Sequence, residues 1–277
     1  MIKIENVEVM GWEAAIRGMR NPMNSWDKSD GGYGCNLYGH RMQCRNCNIV
    51  DKGSCLDNRT LLLGHNDLEL MMKLRNAGTD HRKFMRMITV YLDITAPLYW
   101  WKEFDTYRVG VAPNPTDIEM NSCSTMHKIG EKQFEMSDFS TEHLLPASYQ
   151  ALGFTIKTLN EYRDLWQGYS GFKDKHHCGK EENLDKKDYW WQMIQLLPSS
   201  YNQKRTVMLN YEVLANIYKS RKNHKLNEWV EFCKWIEGLP YSELITGASL
   251  KDVPICNEIM EEAKRRVTNE EDKDDEC

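Results

Sequence analysis

The sequence predicts an α+β fold, strand-rich in its N-terminal half and helical in its C-terminal half. Three observations predict it. IKIENVEV near the start alternates Ile2, Ile4, Val7 and Val9 with polar residues, the period of a half-buried strand. TVYLDITAPLYWWKEFDTYRV is β-branched and aromatic, which favours strand, broken near Ala96-Pro97. The later sequence has helical periods, and strands and helices do not alternate as in a doubly wound sheet.

Element by element, WEAAIRGM reads as a short helix after the first strand. A Gly-, Asn- and Asp-rich stretch with no apolar period follows, SDGGYGCNLYGHRMQCRNCNIVDKGSC. HNDLELMMKLRNAG is a helix with Leu68, Met71, Met72 and Arg75 on one face, capped by Asn66 or Asp67 and closed by Gly78. HRKFMRM suits a second short helix, and APNPTDIEM a proline-bearing loop. YQALGFTIKTLNEYRDLW is an amphipathic helix, GYSGFKDKHHCGKEENLDKKD a polar linker, and YWWQMIQLL a helix ended by Pro198. His176 and His177 in that linker read as solvated surface, and the Trp100-Trp101 and Trp190-Trp191 pairs as core or interface. Residues 203–220 and 226–237 complete the helical half.

Within it, TVMLNYEVLANIYKSRKNH projects Asn210, Val213, Leu214, Ile217, Arg221 and His224 onto one stripe, with Asn216 off it. A guanidinium on a core-facing stripe needs partners for five donors, from the protein or from a ligand. The bland reading is a helix C-terminus at which Arg and His meet the dipole and solvent.

Hydrophobic content of 41% and charged content of 28% describe a globular chain without a membrane span. No basic region precedes an apolar one at the N-terminus, so a cytoplasmic location is expected. The tail after residue 268 holds six acidic side chains and one lysine, which accounts for the whole net charge of −5. The neutral body gives no bulk reason to bind nucleic acid. The expected organisation is one domain over 1–267, a cysteine-rich insertion at 31–58 and a disordered acidic tail at 268–277.

Cys35, Cys44, Cys47 and Cys55 are spaced C-x8-C-x2-C-x7-C. The central pair can bite one metal ion and the outer pair complete four thiolates. A structural zinc would supply folding energy to a segment with no apolar core. An iron–sulfur cluster and four unrelated thiols are the other readings. Asn121-Ser122-Cys123-Ser124-Thr125-Met126-His127 suits an anion cradle of hydroxyls and backbone N–H groups, or else an ordinary capping stretch.

Taken in order, several stretches resemble the flavin-dependent thymidylate synthases. Ala96-Pro97 fits that family's Ala-Pro strand, and Arg108 the third residue of its Arg-His-Arg. Asn121-Ser122-Cys123-Ser124 fits its Asn-x-x-Ser. Leu197-Pro198 is followed by Asn210 at +12, by Arg221 a further 11 on, and then by His224 and Glu228. Asn216 matches a second family asparagine. The likeness spans residues 60–236. Thr106 and Tyr107 stand where the family has Arg and His, Met126 and His127 replace Arg-Tyr, and Ile194 replaces an Arg. An insertion before Asn121 makes Asn114 a rival for the motif asparagine. Phosphate-binding arginines are therefore missing. Arg75, Arg82, Arg86 or Arg205 substitutes for them, or the ligand has changed.

The resemblance implies a thymidylate synthase-complementing-like fold and a homotetramer with shared sites. It implies reductive methylation of dUMP to dTMP with methylenetetrahydrofolate, FAD and NADPH. Arg221 would face the pyrimidine and favour ionisation at N3; Ser122, Cys123 and Ser124 would hold the nucleotide phosphate. Arg108, Asn121, Asn210, Asn216 and His224 would contact flavin. No protein nucleophile is needed, and none is evident. Two other readings stand beside it: a diverged homologue acting on another pyrimidine nucleotide or lacking catalysis, and a zinc-stabilised binding protein using Arg41 and Arg45 beside the cysteines.

The cysteine spacing yields a direct test. Cys44→Ser is expected to lose one zinc per chain and to open residues 31–58 to protease while the body stays folded. Metal analysis of anaerobically prepared protein checks it, and finding neither zinc nor iron would defeat the metal reading.

Overall fold

The computed structural model describes residues 2–35, 59–109, 119–168 and 184–249. Its chain divides into two compact units. The first comprises Met1–Glu8, Val90–Leu209 and Asn223–Phe232; the second comprises Val9–Thr89, Asn210–Lys222 and Cys233–Cys277. The mixed helix and sheet content fits the α+β expectation. Among the described residues no helix is long and apolar enough to cross a membrane.

The first unit is built on a four-stranded sheet in the order β1-β4-β6-β5. Its strands are β1 (Lys3–Met10), β4 (Thr89–Pro97), β5 (Glu119–Ser122) and β6 (Asn202–Asn210). Along β4, Val90, Leu92, Ile94 and Ala96 are buried while Tyr91 is exposed, as a strand with one packed face requires. Pro97 ends the strand, and the chain turns into helix α3 (Leu98–Phe104) followed by the short α4 (Thr106–Val109). This corrects the strand expected beyond Pro97. The aromatic content argued for β structure, but Trp100, Trp101 and Phe104 recur at helical spacing and all three are fully buried. The orphan N–H groups of Leu98 and Tyr99 at the helix start donate to the carbonyls of Tyr201 and Ser199, each at 3.0 Å.

Trp100 is the centre of an aromatic core. Its ring lies 4.9 Å from Trp101, 5.0 Å from Phe104 and 4.8 Å from Trp229, centroid to centroid. A second apolar cluster joins Ile129, Phe134 and Phe139 to Leu152, Ile156 and Leu159 of α5 (Pro146–Gln167) and Met193 of α6 (Lys186–Leu196). Asp185 caps α6, accepting from the N–H groups of Lys187 and Asp188, while Asp188 accepts from Asp185 N–H in return.

Residues 203–210 are strand β6, not the start of a helix. Val207 and Leu209 alternate into the core with Gln203, and β6 pairs antiparallel with β5 from Glu119↔Met208 to Ser122↔Arg205. The helix α7 (Tyr211–Arg221) begins only after it. α8 (Asn227–Glu237) has its first half in the first unit and its second half in the second.

The second unit contains α1 (Trp12–Arg20), the paired strands β2 (Gly32–Cys35) and β3 (Arg59–Leu62), and α2 (His65–Asn76). It also contains a 3-10 turn at Arg82–Met87, α7, and α9 (Glu243–Thr246). Gly11 precedes α1 at φ 92°, where an added Cβ would stand 2.0 Å from the Met87 carbonyl oxygen. α2 is capped neither by Asn66 nor by Asp67. The Asp30 carboxylate accepts from both their N–H groups, at 2.9 and 3.1 Å. Asp67 is wholly buried instead. Its Oδ1 accepts from Arg20 Nε and Nη2, each at 2.7 Å, and its Oδ2 from Ser29 Oγ, Asp30 N–H and Gly31 N–H.

Asp67→Ala leaves the buried Arg20 guanidinium without its counter-charge, held only by the Ser25 and Lys28 carbonyls, and is expected to cost about 3–5 kcal/mol in chemical denaturation. The double change Arg20→Leu with Asp67→Leu recovers only part, because the Ser29, Asp30 and Gly31 donors still lose their acceptor.

Candidate active site

The sequence-predicted site residues fall into two sets, one in each unit. In the first unit, β5 carries Asn121 and Ser122 opposite Thr206 and Arg205. Directly opposed residues share a face and successive residues alternate, so Asn121 lies on the Thr206 face and Ser122 on the Arg205 face. Beyond the strand, Cys123 N–H donates to the Lys204 carbonyl at 2.9 Å, and Gln203 Nε2 donates to the Cys123 carbonyl at 2.7 Å. Ser124 Oγ accepts from His127 N–H at 2.9 Å and Met126 N–H at 3.2 Å. Those two N–H groups are thus engaged locally. What the loop presents outward is the exposed Ser122 hydroxyl and the Ser124 hydroxyl as a donor.

Arg205, on the same face as Ser122, is clamped. Its Nη1 donates to Asp105 Oδ1 at 2.9 Å, its Nε to Gln203 Oε1 at 3.0 Å, and its guanidinium lies 4.3 Å from the Trp101 ring centre. On the opposite face Asp93 accepts from Thr206 Oγ1 at 2.7 Å and Asn6 Nδ2 at 2.8 Å, with Lys204 Nζ 3.0 Å away. The Thr206 and Asn6 bonds, then Lys204, hold the Asp93 carboxyl down to about 2.

His224 also belongs to the first unit. Leu226 N–H donates to its Nδ1 at 3.2 Å, which makes Nδ1 the acceptor and leaves the proton of the neutral ring on Nε2. Nε2 faces Glu103 Oε2 at 3.6 Å, and Trp229 Nε1 donates to that same oxygen at 3.0 Å. Glu228, buried, accepts from the Tyr99 hydroxyl, and burial together with this carboxylate pushes the Tyr99 phenol far above its ordinary range. Asn227 Nδ2 and His143 Nε2 lie 3.2 Å apart.

In the second unit, Asn210 is the N-cap of α7, its Oδ1 accepting from Val213 N–H at 3.0 Å. Asn216 accepts at Oδ1 from Arg82 Nη2 at 3.1 Å. Arg82 Nε also donates to Glu212 Oε1 at 3.2 Å, and Arg86 Nε donates to the other oxygen of that buried carboxylate. Arg221 is half-buried in the last turn of α7, where a cation suits the helix dipole. His224 lies beyond the end of that helix, so the single stripe expected for it is broken: Val213, Leu214 and Ile217 are its buried part.

Arg108 lies on α4, and its side chain falls outside the described residues. So do the Cys35 side chain and the whole of Cys44, Cys47 and Cys55; Cys35 ends β2, paired with Arg59. Among the described residues no three His, Cys, Asp or Glu side chains group to hold a metal. Glu103 and Glu212 escaped sequence analysis. Neither stands in a motif, and their partners His224 and Arg82 are more than a hundred residues away in the chain.

No family model and no curated protein matches this sequence. Its fold is similar to that of solved flavin-dependent thymidylate synthases. The chain is similar to the crystal structure of thymidylate synthase X (ThyX) from Helicobacter pylori with FAD and dUMP. That match has 15% identity and a TM-score of 0.53, and covers 89% of this chain and 98% of that one. A second structure of the Helicobacter pylori enzyme, complexed with FAD and dUMP, matches at 15% identity and a TM-score of 0.52, over 88% of this chain and 99% of the other. A UMP/dUMP methylase, PolB from Streptomyces cacaoi bound with 5-Br dUMP, aligns at 11% identity over 94% of each chain, with a TM-score of 0.45.

The Asp93 contacts predict an acid limb of stability. A carboxyl held below its ordinary 3.8 stabilises the fold fully above that pH, and the contribution is lost as pH falls through about 2. Denaturation of the wild type and Asp93→Asn from pH 5 to pH 2 is expected to show a gap that closes towards the acid end.

Proposed function

We propose that the chain is a flavin-dependent enzyme that methylates a pyrimidine nucleotide, with dUMP as substrate and dTMP as product. The observation that carries this is the fold match over nearly the full length of both chains. The ordered set Asn210, Asn216, Arg221 and His224 supports it, lying on α7 and the segment just after it. In this reading Arg221 faces the pyrimidine. Its planar, permanently charged fork suits a carbonyl and an ionised N3, and so raises electron density at the ring carbon that takes the new carbon unit. The Ser122 and Ser124 hydroxyls, with Cys123 between them, hold the nucleotide phosphate.

FAD fits the donor set. Asn216 Oδ1 is occupied by Arg82, which leaves the Asn216 amide NH2 to donate to a flavin acceptor. Asn210 Oδ1 is likewise taken by the helix cap, leaving its own NH2. His224, its tautomer fixed by Leu226, completes the flavin contacts together with Asn121 and Arg108. When bound, FAD in its reduced form would supply the hydride to the pyrimidine, with NADPH regenerating it and methylenetetrahydrofolate giving the carbon unit. A homotetramer in the cytoplasm and a structural zinc at Cys35, Cys44, Cys47 and Cys55 complete the reading.

One observation favours a second reading, in which the nucleotide or the chemistry has changed. Tyr107, which stands where the family has His, is buried with its ring 5.7 Å from Trp229. Thr106, in place of Arg, bonds back to the Glu103 carbonyl at 2.6 Å. Both positions are spent on packing and capping here.

The absorbance spectrum of the purified chain is expected to show flavin at about one per chain. Arg221→Ala is expected to keep fold and flavin but to lose dUMP binding by about 1.5–3 kcal/mol, as for a charge-assisted hydrogen bond. Arg221→Lys rescues poorly. Titrating dUMP while following flavin absorbance reads all three proteins. A colourless chain that also refuses added FAD would sink the reading, and unchanged dUMP affinity in Arg221→Ala would remove Arg221 from the site.

A further inference from the structure

The turn that follows β5 is closed on itself. Met126 N–H and His127 N–H both donate to Ser124 Oγ, at 3.2 and 2.9 Å. The Met126 carbonyl accepts from Trp190 Nε1 of α6 at 2.8 Å, so the same residue is held at both ends. Cys123 N–H is engaged by the Lys204 carbonyl. Three backbone donors that could cradle an anion are thus bonded within the protein, and an incoming phosphate would have to break those bonds before making its own. What remains on the turn is neutral donors, among them the Ser122 and Ser124 hydroxyls.

Positive charge around the turn is matched by carboxylates. Among the described residues, Lys128 pairs with Glu131, Lys132 with Asp138, Lys204 with Asp93 at 3.0 Å and Arg205 with Asp105 at 2.9 Å. Lys204 alternates to the face of the sheet opposite Ser122. Arg205 shares the Ser122 face, but Gln203 and the Trp101 ring hold it as well. It is therefore already engaged, and so is a poor substitute for the missing arginines. The side chains at two of the family's arginine positions are apolar. Met126 is 48% exposed on the turn itself, and Ile194 packs against the cluster of Phe134, Phe139 and Leu159. Neither brings a phosphate a charge or a donor, and neither offsets the cost of taking it from water.

We propose that this turn does not select for the phosphate: the site accepts a bare pyrimidine deoxynucleoside nearly as well as its 5′-monophosphate, and Met126 is the residue that sets this tolerance. The proposal rests on the pyrimidine reading above for the place of the ligand. Selectivity then lies at the pyrimidine end, where Arg221 supplies the fixed charge. The phosphate adds only hydrogen bonds to neutral hydroxyls, which replace similar bonds to water.

The experiment is calorimetric titration of dUMP and of deoxyuridine into the full chain with FAD present, and into Met126→Arg and Met126→Leu. It is run at about pH 8, above the range in which histidine ordinarily carries charge, because His127 is exposed on the same turn. Wild-type affinities for the two ligands are expected to lie within about fivefold, and that for dUMP to change little between about 0.05 and 0.5 M salt. Met126→Arg is expected to tighten dUMP by about tenfold or more, the gain of one charge-assisted contact, and to leave deoxyuridine within about twofold. Met126→Leu keeps both affinities at the wild-type values. A wild type that binds dUMP more than about tenfold tighter than deoxyuridine, with the difference shrinking in salt, would show a cation at the phosphate. That result would overturn the proposal and leave the proposed function standing. So would an unchanged dUMP affinity in a Met126→Arg chain that is folded by circular dichroism. Binding of neither ligand by any of the three chains would overturn the pyrimidine reading and the proposal together.

Discussion

Glu212 is buried in the first turn of α7, and a carboxylate there cannot remain charged without partners. The helix dipole favours an acid at that position but does not satisfy its oxygens. Arg82 and Arg86 do, and both come from the 3-10 turn that ends where β4 begins. The demand of one side chain therefore ties the turn at Arg82–Met87 to α7. The backbone closes the same junction, Tyr211 N–H donating to the Ile88 carbonyl at 3.1 Å. Asn210, the helix cap, and Asn216, the Arg82 partner, lie on either side of Glu212 along the chain. The orientation of both amides follows from the way the helix is started and held.

Periodic elements were legible in the sequence. β1, α1, α2 and α5 stand where alternation or helical spacing places them. Two stretches were misread for opposite reasons. Residues 98–104 have strand-forming side chains, but their three largest rings face one side only if the backbone is helical, and burying those rings outweighs local preference. Residues 203–210 read as part of a helix because the true helix follows the strand without a gap. Asn210 is both the last strand residue and the cap, so the period changes at a single position. The cysteine spacing and the 169–183 linker lie outside the described residues.

The site was legible as a set of residue types, not as a geometry. Arg221 and His224 are three residues apart, yet they belong to different units, and no helical projection could show that. His224 is held in the first unit by groups that have no sequence signature: Glu103 at 3.6 Å, and Trp229, which donates to Glu103. Glu228 and Asn227, next along the chain, meet Tyr99 and His143. Each of these is a pairing between distant residues, set by the fold. By contrast the Ser124 turn is local, and a hydroxyl two and three residues before two N–H groups is what a sequence can reveal.

The departures from the thymidylate synthase pattern have a common physical sense. Where the family pattern has Arg and His, this chain places Thr106, which caps a turn of helix, and Tyr107, which joins the aromatic core around Trp229. A chargeable ring at 107 would be costly buried beside Trp229, whereas a tyrosine adds apolar area there. Thr106 and Tyr107 therefore bring no cation to those positions. The partners that hold Glu212 are guanidiniums, not ammonium groups. A planar fork can bond a carboxylate at one edge and still present donors at another, which a lysine holding the same carboxylate would do with far less direction. The pair Arg82 and Glu212 thus combines two requirements in one contact: it stabilises a buried acid at a helix start, and it keeps a fixed donor edge in place.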